Sequence, residues 1–114
     1  KVLIMGATFK EDVSDIRNSK VIDVIREIES FSITVDVIDP YADPAEVNQE
    51  YGYKTKNDPN GPYDAVIVAV NHSQYNELPQ SYFEDLMPKG GVFVDIKGGF
   101  KNMANSEKLE YWSL

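Results

Sequence analysis

Apolar residues along this chain change between the two-residue period of a strand and the 3.6-residue period of a helix. The strand-like runs are Lys1–Met5, Ile33–Ile38, Ala65–Val70 and Val92–Ile96, with weaker ones at Tyr53–Lys56 and Tyr111–Leu114. Helical periodicity predicts helices over Ser19–Ser30, Pro44–Tyr51 and Pro79–Met87. The first helix is the clearest, because Val21, Ile25 and Ile28 fall on one face.

Capping and turn-forming residues mark several ends of these elements. Gly6 ends the first strand, and Asn18 or Ser19 is placed to cap the first helix. Asp43-Pro44 has the order of a cap followed by proline at the first helical position. The start of the second helix is therefore marked by two residues.

Strands that alternate with helices indicate a parallel sheet with right-handed crossovers. The predicted fold is α/β, a three-layer sandwich with a mainly parallel, Rossmann-like sheet. The 114 residues are enough for a single domain and its core. In such sheets ligands bind beyond the carboxyl ends of the strands, where the strand order reverses. The loops that follow Lys1–Met5 and Ala65–Val70 are therefore expected to border any site.

The amino-acid composition limits the kinds of molecule that this chain is expected to bind. The net charge of −8 and the isoelectric point near 4.5 disfavour binding to nucleic acid or to an anionic membrane surface. The longest apolar run, Ala65–Val70, is too short to cross a bilayer. No cysteine is present, which excludes a disulfide framework and a thiolate site and fits a cytoplasmic protein. No group of residues has the spacing of a metal site.

The first strand–helix connection does not have the sequence of a dinucleotide-binding loop. A G-x-G-x-x-G turn is expected there in a nicotinamide-binding fold, but Ala7–Asn18 is about twelve residues long and contains no glycine beyond Gly6. Phe9 would also obstruct the approach of a pyrophosphate. Asp39 stands where a ribose-binding acid would lie, although the following Pro40 favours a role in a turn.

Cations concentrate at the predicted carboxyl ends of the strands. Five of the eleven basic residues follow the first and the Val92–Ile96 strands: Lys10, Arg17, Lys20, Lys97 and Lys101. Such a group predicts a local anion site, because ammonium and guanidinium groups form charge-assisted bonds to phosphate oxygens. The alternative is that Arg17 pairs with Asp12 or Asp15 to hold the loop and that Lys20 is simply solvated.

Two polar residues at strand ends have open roles. His72, the only histidine, is a candidate general base, but no Ser–His–acid order is evident and a single imidazole does not make a metal site. A hydrogen-bonded structural histidine is the favoured interpretation. Asp95 ends its strand and is expected to accept hydrogen bonds from loop amides.

The stretch Gly6–Ser19 resembles the G-x-x-F-K-x-x-x-x-D-x-R-x-S segment of the UDP-glucose/GDP-mannose dehydrogenase family, at the start of its C-terminal UDP-binding domain. Asp39–Ala42, Asn71-His72 after the Ala65–Val70 strand, and Val94–Gly99 also match landmarks of that family. The resemblance extends from Lys1 to about Lys101. It is strongest to the branch that acts on UDP-N-acetylhexosamines.

The resemblance implies an NAD-dependent 6-dehydrogenase that oxidises the C6 alcohol of a nucleotide sugar to a carboxylate in two steps. NAD and the catalytic cysteine belong to other parts of such an enzyme, so that residues 1–114 are expected to be its substrate-capping domain, inactive alone. The first residue is Lys1 rather than methionine, which agrees with a chain cut from something larger. The expected partners are a UDP-sugar and the N-terminal NAD-binding domain of the same protein, which is expected to form homo-oligomers.

The resemblance also implies the site residues. Phe9 and Lys10 match the family's substrate-contacting pair, with Lys10 on the diphosphate or sugar and Phe9 in the wall. Arg17 matches the motif arginine, and Lys97 stands where many members have arginine. A lysine there supplies a point charge without a planar fork. The rival interpretation is a non-catalytic α/β interaction or regulatory module whose first loop is purely structural.

Overall fold

The computed structural model describes residues 1–114 as five strands and three α-helices. The strands are β1 (Val2–Met5), β2 (Val35–Ile38), β3 (Ala65–Val68), β4 (Val92–Asp95) and β5 (Glu110–Ser113). The α-helices are α1 (Val21–Glu29), α2 (Pro44–Tyr51) and α3 (Gln80–Leu86), and short 3-10 helices cover Ser73–Glu77 and Lys101–Asn105. None of the helices has the length and apolar character needed to cross a bilayer.

All five strands are parallel and form one sheet in the order β2-β1-β3-β4-β5. The chain runs from β1 to β2 on one side and then returns to place β3 on the other side of β1. The strand order therefore reverses between β1 and β3, as the prediction of a Rossmann-like sheet requires. The edge strand predicted at the end of the chain is confirmed as β5.

Apolar side chains on alternate positions of β1 point to opposite faces of the sheet and form two cores. Val2 and Ile4 pack on the α1 side together with Val21, Ile22 and Ile25 of that helix. Leu3 and Met5 join the larger core on the other face, which includes Phe83 of α3 and the aromatic residues Phe93 and Phe100. This arrangement confirms the predicted three-layer α/β sandwich.

Two of the predicted strands were wrong, one in its existence and one in its length. Tyr53–Lys56 is not a strand, because it makes only one bridge, from Ile38 to Lys56, before a segment of turn-forming residues. The third strand ends at Val68, since the amides of Ala69 and Val70 both turn back to the carbonyl of Met5.

The N-cap of α1 is Lys20, and no side chain caps the helix, so that neither Asn18 nor Ser19 has the predicted role. Asn18 has a φ of 59°, in the left-handed region rather than the extended conformation that is typical of an N-cap residue. By contrast, Asp43 does cap α2, with its carboxylate accepting a hydrogen bond from the amide of Ala45 at 2.9 Å.

Candidate functional site

A cavity of about 410 Å³ opens beside the carboxyl ends of β3 and β4, and we name it the switch-point cavity. Its apolar lining comes from the end of β3, from Ile96 and from the first turns of α1. Its charged lining consists of Lys10, Lys20, Lys97 and one acid, Glu11. This volume lies within the range of small-molecule sites.

The three lysines of the cavity are exposed, and their ammonium groups form no salt bridge and no hydrogen bond within residues 1–114. Lys20 directly precedes α1, whose first amides have no side-chain cap, and Val21 of the first turn also lines the cavity. Three positive charges and the uncapped start of α1 therefore lie at one apolar opening in an acidic protein.

The first loop, Ala7–Asn18, is fixed by a buried carboxylate at the end of β2. Asp39 accepts hydrogen bonds from the amides of Ala7 and Thr8 at 2.6 and 3.2 Å through Oδ2. Its Oδ1 accepts from the amides of Tyr41 and Ala42 at 2.7 and 3.1 Å. The preferred turn-forming role of Asp39 agrees with this geometry.

His72 joins the same network from the segment that follows β3. Its side chain is fully buried, and its Nε2 lies 2.9 Å from Oδ2 of Asp39. The amide of Asp12 donates to Nδ1 at 2.9 Å, so that the ring proton must be on Nε2, where it is donated to Asp39. Both ring nitrogens are therefore occupied, and the structural interpretation of His72 fits better than a general base.

The electrostatics of Asp39 follow from these bonds. Burial acts to raise the pKa of Asp39, but the hydrogen bonds from His72 and from the amides of Ala7 and Tyr41 outweigh it and hold the pKa below its ordinary value. The carboxylate is therefore ionised at neutral pH and keeps all of its acceptor sites directed at the loops.

Phe9 and Lys10 lie between the fixed points of the first loop and are exposed at the cavity. The amide of Phe9 donates to the carbonyl of Asp15 at 2.6 Å, and the ring remains 55% exposed. The hydroxyl of Thr8 donates to the carbonyl of Lys10 at 3.0 Å. The backbone around both side chains is thus held while the side chains themselves stay free.

Lys97 is presented by a loop that Asp95 organises. Oδ1 of Asp95 accepts from the amides of Gly98 and Gly99 at 2.9 and 3.1 Å. Its Oδ2 accepts from the amide of Phe100 and from the hydroxyl of Tyr111 at 2.8 and 2.6 Å. The expectation that Asp95 satisfies loop amides is confirmed, and the turn that it closes holds Lys97 at the switch-point cavity.

Comparison with known proteins decides the family. A sequence profile described as "UDP-glucose/GDP-mannose dehydrogenase family, UDP binding domain" matches residues 3–102. The chain belongs to this family. The resemblance seen in the first loop is thereby confirmed.

Relatives and solved structures agree with membership of the dehydrogenase family. The UDP-N-acetyl-D-glucosamine 6-dehydrogenases of Pseudomonas aeruginosa and Salmonella typhi are 39% and 40% identical over 98 and 97 residues. These matches cover 85% and 84% of this chain and 23% of each relative. The chain therefore spans about a quarter of the length of these relatives.

The fold of the dehydrogenase family is also found in solved structures. The UDP-N-acetyl-mannosamine dehydrogenase Cap5O of Staphylococcus aureus has a TM-score of 0.71 at 28% identity, covering 99% of this chain and 26% of that one. An NDP-N-acetyl-D-galactosaminuronic acid dehydrogenase of Methanosarcina mazei Go1 has a TM-score of 0.81 at 19% identity, covering 99% and 24%. The latter likeness concerns the fold alone.

Of the four family residues predicted from the motif, the structure brings Phe9, Lys10 and Lys97 to one cavity and places Arg17 elsewhere. Arg17 forms a two-point ion pair with Asp15, with Nε–Oδ1 and Nη2–Oδ2 distances of 3.0 and 3.1 Å. It lies in a separate groove beside α2. The alternative in which Arg17 holds the loop matches this contact.

Sequence reasoning left several cavity residues of this family member unassigned as site residues. Lys20, the N-cap of α1, and Val24 of its first turns are four residues apart, so that the helical period could have placed both on one side. Leu114 reaches the cavity from the end of β5, and no local pattern indicates that. Lys101, which was grouped with the cations, is not among the lining residues.

The contacts at the end of β2 in this member of the dehydrogenase family differ from those expected of a dinucleotide site at a Rossmann switch point. The two carboxylate oxygens of Asp39 accept hydrogen bonds from five donors of the same chain, so that neither oxygen is free to accept one from a ribose hydroxyl. Phe9 also stands where close approach to the loop backbone is needed. The prediction that this loop is not a nicotinamide cradle agrees with these contacts. No three side chains of the kinds that bind metal come together.

Proposed function

We propose that residues 1–114 are the UDP-binding, substrate-capping domain of an NAD-dependent UDP-sugar 6-dehydrogenase that acts on a UDP-N-acetylhexosamine. The observation that carries this proposal is the convergence of three unpaired lysines on an apolar cavity in a member of this family. The substrate class is taken from the UDP-N-acetyl-D-glucosamine 6-dehydrogenases that the chain resembles.

In this proposal Lys10 and Lys97 neutralise the diphosphate, and Lys20 with the uncapped start of α1 adds to the same positive field. Phe9 and the apolar lining supply the wall against which the organic part of the ligand packs. Glu11 is the only acid that lines the cavity, although the whole chain has a net charge of −8. The ligand therefore meets a local charge opposite in sign to that of the protein.

Arg17 has a supporting role in the proposal. Its pair with Asp15 holds the carbonyl that accepts the amide of Phe9. Removal of Arg17 would then loosen the wall of the cavity without removing a charge from it.

The remaining functions of the parent enzyme are assigned to regions other than residues 1–114. NAD and the catalytic cysteine belong to an N-terminal domain against which this domain closes, in a homo-oligomeric, cytoplasmic enzyme. Residues 1–114 contain no cysteine, so that the domain alone is expected to be inactive. The rival interpretation is an interaction module with a purely structural first loop. It does not explain why three unpaired lysines lie around one cavity.

The proposal is tested in the parent enzyme with Lys10→Ala, and Lys54→Ala, which lies outside the cavity, is the matched control. Loss of a charge-assisted bond to phosphate should raise KM for the UDP-sugar about tenfold or more. The control should leave KM unchanged. Unchanged kinetics for Lys10→Ala would refute the site.

Titration of residues 1–114 with NAD should show no binding, and clear binding would contradict the assignment of the cofactor to another domain.

A further inference from the structure

The exposed segment that carries Lys10 is attached at both ends to one buried side chain. Thr8 and Asp12 flank the exposed residues Phe9, Lys10 and Glu11. Oγ1 of Thr8 lies 3.3 Å from Nε2 of the His72 ring, and the amide of Asp12 donates to Nδ1 of the same ring at 2.9 Å.

His72 therefore contacts both ends of the ligand-facing part of the first loop. It is fully buried and is not among the residues that line the switch-point cavity. This imidazole can therefore affect a ligand there only indirectly, through the residues that it contacts.

The connection from His72 to Lys10 consists of two hydrogen bonds. The hydroxyl of Thr8 donates to the carbonyl of Lys10 at 3.0 Å, so that its lone pairs face the Nε2–H of His72. Asp39 shares that N–H at 2.9 Å and thereby fixes the tautomer. The lone pair of Nδ1 is left for the amide of Asp12.

The hydrogen bond from the amide of Asp12 to Nδ1 of His72 helps to hold the backbone of Asp12 in an unfavourable conformation. Asp12 has a φ of 59°, in the left-handed region, which costs a non-glycine residue about 1 kcal/mol. Its carboxylate also accepts from the amide and hydroxyl of Ser73 at 2.7 and 3.0 Å. These bonds bind the loop to the residue next to His72 and offset the conformational cost.

We propose that His72 is a positioning residue for ligand binding, which holds Lys10 toward the switch-point cavity through Thr8 on one side and Asp12 on the other. This inference rests on the proposed function, since it concerns the affinity of the same site for the UDP-sugar. It predicts that His72 and Lys10 act as one unit in binding, although their side chains are not in contact.

The test uses His72→Gln and Lys10→Ala, singly and together, in the parent enzyme. Glutamine can still donate a hydrogen bond to Asp39 but does not keep the ring acceptor for the amide of Asp12. His72→Gln should raise KM for the UDP-sugar about five- to tenfold with kcat nearly unchanged. In the Lys10→Ala background the same substitution should add less than twofold, because the lysine that it positions is gone.

A second pair of variants keeps the test decisive if His72→Gln does not fold. Thr8→Val removes the link to His72 and to the carbonyl of Lys10 with little change in volume, whereas Thr8→Ser retains the hydroxyl. Valine should raise KM severalfold, and serine should restore it to within about twofold of the wild-type value. Tyr63→Phe, which removes a buried hydroxyl hydrogen-bonded to Asp36, controls for a loss of stability away from the cavity.

The outcomes separate the two proposals. If Lys10→Ala does not weaken binding, the proposed function fails at its site and the positioning role fails with it. If Lys10→Ala weakens binding but His72→Gln and Thr8→Val leave KM at the wild-type value, or multiply fully with Lys10→Ala, only the positioning role is overturned. A KM increase for Tyr63→Phe equal to that of Thr8→Val would also overturn it.

Discussion

Lys97 is the residue of the proposed site whose side-chain chemistry most limits how a ligand could be held. It is held at the cavity by the turn that Asp95 closes, but its ammonium group offers a point charge rather than two parallel donors. A planar guanidinium would satisfy two phosphate or ribose oxygens at once.

We therefore expect Lys97→Arg to tighten UDP binding to the parent enzyme about threefold, and Lys97→Met to weaken it about tenfold. Calorimetric titration with UDP measures both. Methionine retains the apolar stem of the side chain, so that its loss of affinity reports the charge. Equal affinities for the lysine and methionine forms would remove Lys97 from the site.

At the scale of single residues, sequence patterns predicted those residues of the cavity whose positions follow from a short motif or from the end of a strand. Phe9, Lys10 and Lys97 were found from a motif and from their positions after strands, and all three line one cavity. The pairing of Arg17 with Asp15 was foreseen only as an alternative, because two residues of separation allow either an ion pair or a free guanidinium. The contacts of His72 with Asp12 and Thr8 span 60 and 64 residues, which no local pattern encodes.

At the scale of elements, apolar periodicity predicted every strand of the sheet, and errors arose where tertiary contacts end an element. The extended segment Tyr53–Lys56 reaches β2 through a single bridge and then meets a turn. The predicted β3 was too long because β1 and β3 approach so closely at Gly6 that Ala69 and Val70 turn onto Met5. The sequence contains Gly6, but it does not show that Val70 packs against Gly6 and leaves no room for a side chain there.

That approach gives a prediction for Gly6. It has a φ of 97°, and a Cβ there would lie 2.6 Å from Cβ of Val70. Gly6→Ala should lower the free energy of unfolding of the 114-residue chain by about 3 kcal/mol, as the sum of an unfavourable φ and a steric clash. Chemical denaturation measures the loss.

Gly52→Ala is the matched control for Gly6→Ala. Gly52 also has a positive φ, of 75°, but nothing lies within 4 Å of the added Cβ. It should cost only about 1 kcal/mol, from the backbone conformation alone. Equal losses for the two variants would show that the contact of Gly6 with Val70 does not determine its identity.

At the scale of the whole molecule, buried polar pairs lie on the β2 side of the sheet, and we expect them to contribute to the pH dependence of stability. Asp39 and His72 connect the loops at the carboxyl ends of the strands. On the α3 face, the hydroxyl of Tyr63 donates to Asp36 at 2.7 Å, and Lys56 lies 3.0 Å from the same carboxylate. Both carboxylates are buried, and each is matched by donors that act only in the folded chain.

The direction in which the free energy of unfolding changes at low and at high pH follows from these pairs. The folded pKa of Asp39 is lowered because its hydrogen bonds outweigh the effect of burial, so that its contribution is present above the ordinary pKa and is lost as pH falls below about 4. Burial and the neighbouring Asp36 carboxylate raise the pKa of Tyr63 to about 12. Its contribution is therefore complete below pH 10, its unfolded value, and is lost as pH rises toward 12.

We expect the free energy of unfolding of the 114-residue chain to be nearly constant between about pH 5 and pH 9 and to fall on both sides. The alkaline loss from Tyr63 should reach about 2 kcal/mol between pH 10 and pH 12 and be absent in Tyr63→Phe. The acid loss should be smaller in Asp39→Asn, which keeps the shape but not the charge. Denaturant titrations across this range measure both limbs. An alkaline limb that is unchanged in Tyr63→Phe would mean that the Tyr63–Asp36 pair does not set the upper limit.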